Sequence, residues 1–261
     1  IGMKNSKPKI AYASVLFGKT PQDTFNTAKN LKLKNFRAIK FGWENFGLNI
    51  QRDEEHLIAA RDAMGSDLEL MIDVGAIWGT NVEDASKRLK IFKDAKITWL
   101  EEPFFSDAFF EYGQLSDRTG LPLAGGESCH SIESAKNMIR FGKVKFIQID
   151  AGIAGGILAG KEICDFAEEN SVQYVNHTFT SHLQLSSSLQ PYANSSKSLY
   201  AEYPQQLKSL AWDLTTNHIQ MDNNGCINIP SGIGHGININ QKALEQYSVD
   251  VDIYINKEKI F

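Results

Sequence analysis

Cysteine is scarce in this chain, and the few present stand apart: Cys129, Cys164 and Cys226 form no CxxC pair. That argues against a zinc knuckle and a disulfide framework, and it fits a reducing cytoplasm as the location. Long apolar runs are also lacking, since none approaches the roughly 20 residues that a membrane span requires. No membrane partner is expected. Basic charge is not in surplus: 27 Lys and Arg are scattered among 31 Asp and Glu, for a net charge of -4. With no basic stripe to hold a phosphate backbone, nucleic acid is not an expected partner. The first residues, Ile1-Gly2-Met3-Lys4-Asn5, contain no apolar stretch of the kind a signal peptide carries. Because chains do not ordinarily start with Ile, either Met3 is the initiator or the sequence is a fragment of something longer. Low-complexity linkers and signs of a second domain are missing as well, so one domain over 1–261 is expected.

What the sequence does contain is a repeat. Ile97-Thr98-Trp99-Leu100-Glu101-Glu102-Pro103 is a short apolar run that ends in two carboxylates and a proline, and Pro103 favours extended backbone before it. It reads as a buried strand with acid at its C-terminal end. The same event occurs at Leu70–Asp73, Leu123–Glu127, Phe146–Asp150, Val172–His177 and Leu199–Glu202, at spacings of roughly one strand plus one crossover helix. Two earlier strands, Ile10–Leu16 and Phe36–Phe41, bring the count to eight. Lys40 stands near the end of the second.

Helices are expected between them. Thr20-Pro21-Gln22-Asp23 is an N-cap with proline at the first helical position, Asp53 to Met64 carries an apolar stripe, and Val82, Ala85, Leu89 and Phe92 mark a single further helix. Others are expected over about 107–115, from Ser131 to Arg140, over 157–169 and over 181–191. Ile219–Met221 and Cys226–Ile229 around Asn223-Asn224-Gly225 predict a hairpin, followed by a polar tail. Strand and helix alternate with nearly constant length, which favours a closed parallel TIM-type barrel over about 10–215, with the hairpin and tail over about 216–261. An open doubly wound sheet lacks its fingerprint, because Gly152-Ile153-Ala154-Gly155-Gly156 is not GxGxxG and follows the sixth strand.

In a barrel all strand C-terminal ends meet at one mouth, so Lys40, Asp73, Glu101, Glu127, Asp150, His177 and Glu202 should converge there. Asp73, Glu101 and Glu127 come from three neighbouring strands and would repel one another without a cation among them. Hard oxygen ligands without Cys or His imply Mg²⁺ or a similar ion; acids that merely cap helices or pair with Lys and Arg are the alternative. His177 with Asp150 from the adjacent strand makes a dyad suited to a base, against the alternative of a satisfied core histidine. Glu202 is either a structural partner of a lysine or a protonated carboxyl that donates to an oxyanion. Lys40 is either a snorkelling lysine or a partner for a substrate's negative charge. His130, His182 and Glu102 receive no role.

This set resembles the enolase superfamily and, within it, the mandelate racemase/muconate lactonizing enzyme subgroup. The resemblance is carried by Ala38-Ile39-Lys40-Phe41-Gly42-Trp43, Met71-Ile72-Asp73, Trp99–Pro103, Gly126-Glu127, Ile149-Asp150 with Gly155-Gly156, Asn176-His177 and Ala201-Glu202, over about residues 10–240. It implies a modified (β/α)7β barrel with Mg²⁺ on Asp73, Glu101 and Glu127. It also implies a carboxylate substrate held by that ion, abstraction of the α proton to give an enediolate, the His177–Asp150 dyad as base or acid, and Glu202 opposite.

Two departures matter. Members with two-base chemistry carry K-x-K at the second strand end, whereas residues 38, 40 and 42 are Ala, Lys and Gly, so a single lysine points inward. Members also carry an N-terminal α+β capping domain, and this sequence starts at the barrel. The expectation is a Mg²⁺-dependent acid-sugar dehydratase, or the barrel half of one, acting on a small carboxylate and assembling as a homo-oligomer. A racemase or epimerase of a 2-hydroxy acid and a catalytically silent metal- or partner-binding barrel are the alternatives. Without a cap the chain should fold but turn over poorly, leaving the loop Trp43–Phe46 and the tail after Ile229 exposed or used for self-association.

Overall fold

A computed structural model describes residues 5–205 and 207–259; Ile1 to Met3, on which the question of the initiator turns, lie outside the described residues. Eight strands run in chain order: β1 (Lys9–Leu16), β2 (Ala38–Gly42), β3 (Glu69–Asp73), β4 (Ile97–Glu101), β5 (Leu123–Gly125), β6 (Phe146–Ile149), β7 (Gln173–Asn176) and β8 (Tyr200–Tyr203). They pair in the order β7-β6-β5-β4-β3-β2-β1-β8, every ladder parallel, with β1 between β2 and β8.

The seam between β7 and β8 closes differently. Among the described residues no backbone ladder joins them, and the carboxamide of Asn176 takes its place. Asn176 Oδ1 accepts from Glu202 N at 3.1 Å and Nδ2 donates to Glu202 O at 3.1 Å, so a side chain imitates a neighbouring peptide. The Tyr192 hydroxyl holds the same carboxamide by donating to Oδ1 at 2.6 Å, and a lost bond at this buried seam would leave polar groups unpaired.

One side chain from each strand fills the barrel axis: Tyr12, Ala38, Met71, Trp99, Ala124, Phe146, Val175 and Tyr200. Trp99 sits against Tyr12, Phe146 and Tyr200, with ring centroids 5.5, 4.7 and 5.6 Å away, and the small Ala38 and Ala124 make room for it. Truncating such a residue costs about 3–5 kcal/mol. The opposite strand faces pack on the surrounding helices, as the alternation of a strand requires.

Several helix signals hold as expected. In α1 (Pro21–Leu33) Thr20 and Asp23 form a reciprocal capping box, and Ser131 and Ser181 cap α6 (Ile132–Arg140) and α8 (His182–Leu189). Helix α2 (Ile50–Met64) starts earlier than Asp53, because Asn49 caps it by accepting from Arg52 N. The single helix expected from Val82 to Phe92 is two, α3 (Val82–Ser86) and α4 (Leu89–Asp94). Between them Arg88 turns inward, where its Nε lies 2.7 Å from Asp53 Oδ2 and both side chains are buried. The demand of that ion pair outweighs continuation of the apolar stripe. Two more helices complete the ring, α5 (Phe109–Thr119), which starts and ends later than expected, and α7 (Ile157–Glu169).

The expected hairpin is also altered. Met221 and Ile227 share one bridge, while β9 (Cys226–Ile227) pairs antiparallel with the start of β1, Lys9 opposite Ile227 and Ile10 opposite Cys226. The β1–β2 ladder starts only at Tyr12, so β9 takes the edge that β2 leaves open. Past Ile229 the tail exposes Ile233, Val249 and Val251. Among the described residues no helix is long and apolar enough to cross a membrane.

Candidate active site

The seven side chains picked out in the sequence form two groups at the C-terminal end of the barrel. In the first, Lys40 on β2 meets Glu101 on β4 in a short contact, Glu202 on β8 at 3.2 Å and Asp73 on β3 at 3.8 Å. All four are buried. The register explains this convergence, since Ala38 and Lys40 share the inward face of β2 while Asp73 lies opposite Glu101 in the adjoining ladder. Glu202 accepts on both oxygens, from the Lys40 ammonium on Oε1 and from Thr178 N on Oε2 at 2.7 Å.

In the second group His177 Nδ1 lies 3.1 Å from Asp150 Oδ2, and Nε2 lies 3.5 Å from Glu127 Oε2. Asp150 is fixed in turn by Gly152 N at 2.8 Å on Oδ1 and by Gln184 Nε2 at 2.7 Å on Oδ2. Strand β5 stops at Gly125 because Gly126 adopts φ 120°, where an added Cβ would sit 2.7 Å from Ile147 Cδ1 and 2.9 Å from Gln148 O. Only glycine makes that turn, and it carries Glu127 past the strand end toward His177.

Electrostatics separates the mouth from the rest of the barrel. Burial alone would lower the pKa of Lys40, but Glu101, Glu202 and Asp73 outweigh it and hold it well above the usual lysine value. Burial likewise pushes His177 down, yet the Asp150 hydrogen bond with Glu202 and Glu127 raises it to about 9. For Glu101, burial followed by repulsion from Asp73 and Glu127 raises the pKa to about 8 against the pull of Lys40. Burial also raises Glu127, against the pull of His177 and Lys40. Asp150 moves the other way, because hydrogen bonds from His177 and Gly152 N overcome its burial.

Glu101 and Glu127 are thus raised by burial and by their acidic neighbours, and the donors gathered here with Asp73 are all carboxylate oxygens. That donor chemistry fits a hard divalent cation. Among the described residues no three His, Cys, Asp or Glu side chains stand as a closed ligand cage. The ammonium of Lys40 lies within ion-pair reach of both Asp73 and Glu101 and supplies the positive charge there.

Three residues with a part in this geometry had no role in the sequence reading. Glu102 is a fourth carboxyl, raised to about 8 by burial and then by Glu127, Asp73 and Glu101. Its φ of 43° departs from strand geometry just before Pro103. Gln184 braces Asp150, and the indole of Trp43 donates from Nε1 to Asp73 Oδ2 at 3.2 Å. The doubled acid of Glu101-Glu102-Pro103 was the available signal for Glu102; spacing offered none for the other two. Within the loop expected to be exposed, Trp43 is open, but Phe46 is buried and stacks on Phe17 with centroids 4.5 Å apart.

Known proteins share this architecture. The chain is 26% identical over 270 residues to D-gluconate dehydratase of Thermoproteus tenax, an alignment covering 96% of this chain and 52% of that protein. It is 27% identical over 224 residues to D-galactarolactone cycloisomerase of Agrobacterium fabrum, covering 83% and 58%. The chain therefore spans about half the length of the curated relatives it matches. Among solved structures, a protein described as a predicted mandelate racemase from Rhodobacter sphaeroides superposes with a TM-score of 0.94 at 40% identity, covering 100% of this chain and 67% of that one. The 3,6-anhydro-D-galactonate cycloisomerase of Zobellia galactanivorans gives a TM-score of 0.83 at 27% identity, covering 94% and 67%. A profile described as enolase C-terminal domain-like matches residues 24–243, which takes in every strand from β2 to β8, and the chain belongs to that family.

Proposed function

We propose that this barrel is the catalytic unit of a Mg²⁺-dependent acid-sugar dehydratase, with residues of about 10–215 carrying the chemistry and about 216–261 forming an appendage. The observation that supports it best is the pairing of His177 with Asp150 at 3.1 Å at the same end of the barrel as the Lys40–Glu202 pair and the acids of β3, β4 and the β5 turn. In this reading Asp73, Glu101 and Glu127 hold Mg²⁺, which when bound fixes the substrate carboxylate and stabilises the negative charge that grows on it.

The chain's own side chains do the rest. Asp150 keeps His177 oriented through Nδ1, which leaves Nε2 to take the proton α to the carboxylate. Loss of that proton gives an enediolate, toward which Lys40 presents a charged donor while Glu202 anchors the ammonium. His177, now protonated, returns the proton to the departing β-hydroxyl. One base thus serves both halves of an elimination. Racemisation needs a second base on the opposite face, and the inward positions flanking Lys40 are Ala38 and Gly42. Incubating the full chain with Mg²⁺ and a panel of acid sugars in D₂O tests this: a 2-keto product is expected, and inverted α-carbons without keto product would replace the dehydratase by a racemase.

A further inference from the structure

The mouth has a side that the reaction scheme leaves unused. Next to Asp73 lies a cavity of about 400 Å³ bounded by Ser14 and Leu16 of β1, Gly42 of β2, Trp43 after it, and Gln205 after β8. Its lining is hydroxyl, amide, aliphatic and indole surface. Apart from Asp73 it bears no formal charge, and among the described residues lining it none is cationic. Lys40 is engaged by three carboxylates.

Trp43 is built into this cavity's wall with unusual care. Trp43, Glu44 and Asn45 adopt φ of 64°, 52° and 66°, three consecutive left-handed residues without a glycine among them. A bulky residue in that region is strained and persists only where its surroundings hold it. The holding is visible at Gly47, whose N–H donates to Asp53 Oδ1 at 2.9 Å while its carbonyl accepts from Trp78 Nε1 at 3.0 Å and from Arg88. The indole itself is fixed by its bond to Asp73 and lies against Gly75, where an added Cβ would meet the ring at 3.2 Å. Even so, Trp43 is 58% exposed, so much of the ring faces open space.

The geometry points to Trp43 as a specificity-determining residue that receives the neutral, polyhydroxylated tail of a monocarboxylate sugar acid. This rests on the reading of the mouth as a sugar-acid site. The C–H face of an extended polyol packs on a flat indole, and its hydroxyls find partners in Ser14 and Gln205. A second carboxylate at the far end would instead face Asp73 in a cavity whose described lining offers no cation to pair it, and would be repelled. The site therefore takes aldonate-like acids and rejects the corresponding dicarboxylates.

Calorimetry on the full chain with Mg²⁺ tests this using three probes: gluconate, the dicarboxylate of equal length, and lactate as a 2-hydroxy acid without a tail. Gluconate is expected to bind about tenfold or more tighter than either of the others. Trp43→Ala, whose melting must match wild type, should weaken gluconate far more than lactate and bring the ratio of the two affinities close to one. Leu16→Arg, at an exposed strand end, should reverse the order in favour of the dicarboxylate. If wild type prefers the dicarboxylate, or Trp43→Ala retains the full ratio, the specificity role fails while the sugar-acid reading stands. If none of the three acids binds, both fail together.

Discussion

Lys9, Lys40, His177 and His182, each largely withdrawn from solvent, divide into two pairs that move in opposite directions. Among the described residues neither Lys9 nor His182 pairs with an acid of the mouth, and burial lowers them to about 8 and about 4. Lys40 and His177 lie in the mouth and are raised in spite of burial. Desolvation is the largest influence on all four and always disfavours the charged form, so depth alone does not mark a site. What differs is the company. Lys9 Nζ is held by two neutral carbonyls, Ser195 O at 2.7 Å and Ser198 O at 2.9 Å, with the Tyr192 ring 4.8 Å away. Lys40 meets three carboxylates. A cation at Lys9 ties a loop to the barrel wall, whereas a cation at Lys40 offsets a surplus of acid that the fold has gathered at one end.

The most damaging way to probe this contrast is at His177. His177→Asn should abolish turnover with a loss beyond the roughly 10²–10⁴-fold typical of general acid–base catalysis, because one imidazole both takes and returns the proton. His182→Asn should leave turnover within about twofold of wild type. Comparable losses in the two variants would mean that the raised pair does not mark the chemistry.

Next in size is the loss of positive charge at Lys40. Lys40→Met leaves Glu101 and Glu202 buried without their cation, and breaking such a pair from one side costs about 3–5 kcal/mol. Urea unfolding should show that loss in the absence of divalent ions. Added Mg²⁺ should recover part of it, about 2.7 kcal/mol at 100 times the dissociation constant. Glu101→Gln should in turn weaken Mg²⁺ binding severely by calorimetry. Mg²⁺ that neither rescues the first variant nor loses affinity in the second belongs elsewhere.

Much of this contrast was legible in the sequence and part was not, for reasons that lie in particular residues. The barrel could be read because an acid or His recurs at strand ends, and some of those ends carry a local breaker such as Pro103 or Gly126. His177 with Asp150 followed from adjacency of strands. Glu102 could not be placed, since strand alternation sends it away from Glu101 and only its φ of 43° departs from that rule. The seam between β7 and β8 was equally hidden, because it depends on the carboxamide of Asn176 taking the place of a ladder. The break at Arg88 was hidden too, because it depends on an ion pair with Asp53, which is distant in sequence.

A smaller effect is expected in acid from His182. Its side chain is 1% exposed, its Nδ1 accepts from Ile219 N at 3.3 Å, and its ring stands edge-on to Trp212. Burial first, and His218 second, lower it to about 4. As pH falls from the ordinary histidine value near 6.5 toward 4, the unfolded chain binds a proton that the folded chain refuses. Folded stability should therefore be complete above about 6.5 and decline by up to about 3 kcal/mol as pH approaches 4. His182→Asn keeps an acceptor for Ile219 N but cannot titrate in this range. The difference between the two proteins' stability curves should thus isolate the slope, and a flat difference from pH 7 to 4 would place His182 with the charged pair instead.

The smallest change at neutral pH is expected at Lys9, although it is as deeply buried as any lysine can be. Lys9→Met removes a charge whose burial is unfavourable, but it also leaves the carbonyls of Ser195 and Ser198 without a donor. These two effects oppose each other, so the variant should lie within about 1 kcal/mol of wild type at pH 7, well short of the loss at Lys40. The sign of the pH dependence separates the two lysines further. With Lys9 lowered to about 8 in the folded chain, the unfolded chain holds more protons between 8 and the ordinary value near 10.5, and wild type gains stability relative to Lys9→Met as pH rises through that window. For Lys40, raised by its carboxylates, the stabilisation is complete below 10.5 and is lost only as pH rises above that value. Denaturation of the two methionine variants at pH 7, 9 and 10 should show the Lys9→Met difference from wild type growing with pH while the Lys40→Met difference stays level. Parallel curves would mean that the two lysines feel the same surroundings, and the distinction between a cation that ties the wall and one that serves the mouth would collapse.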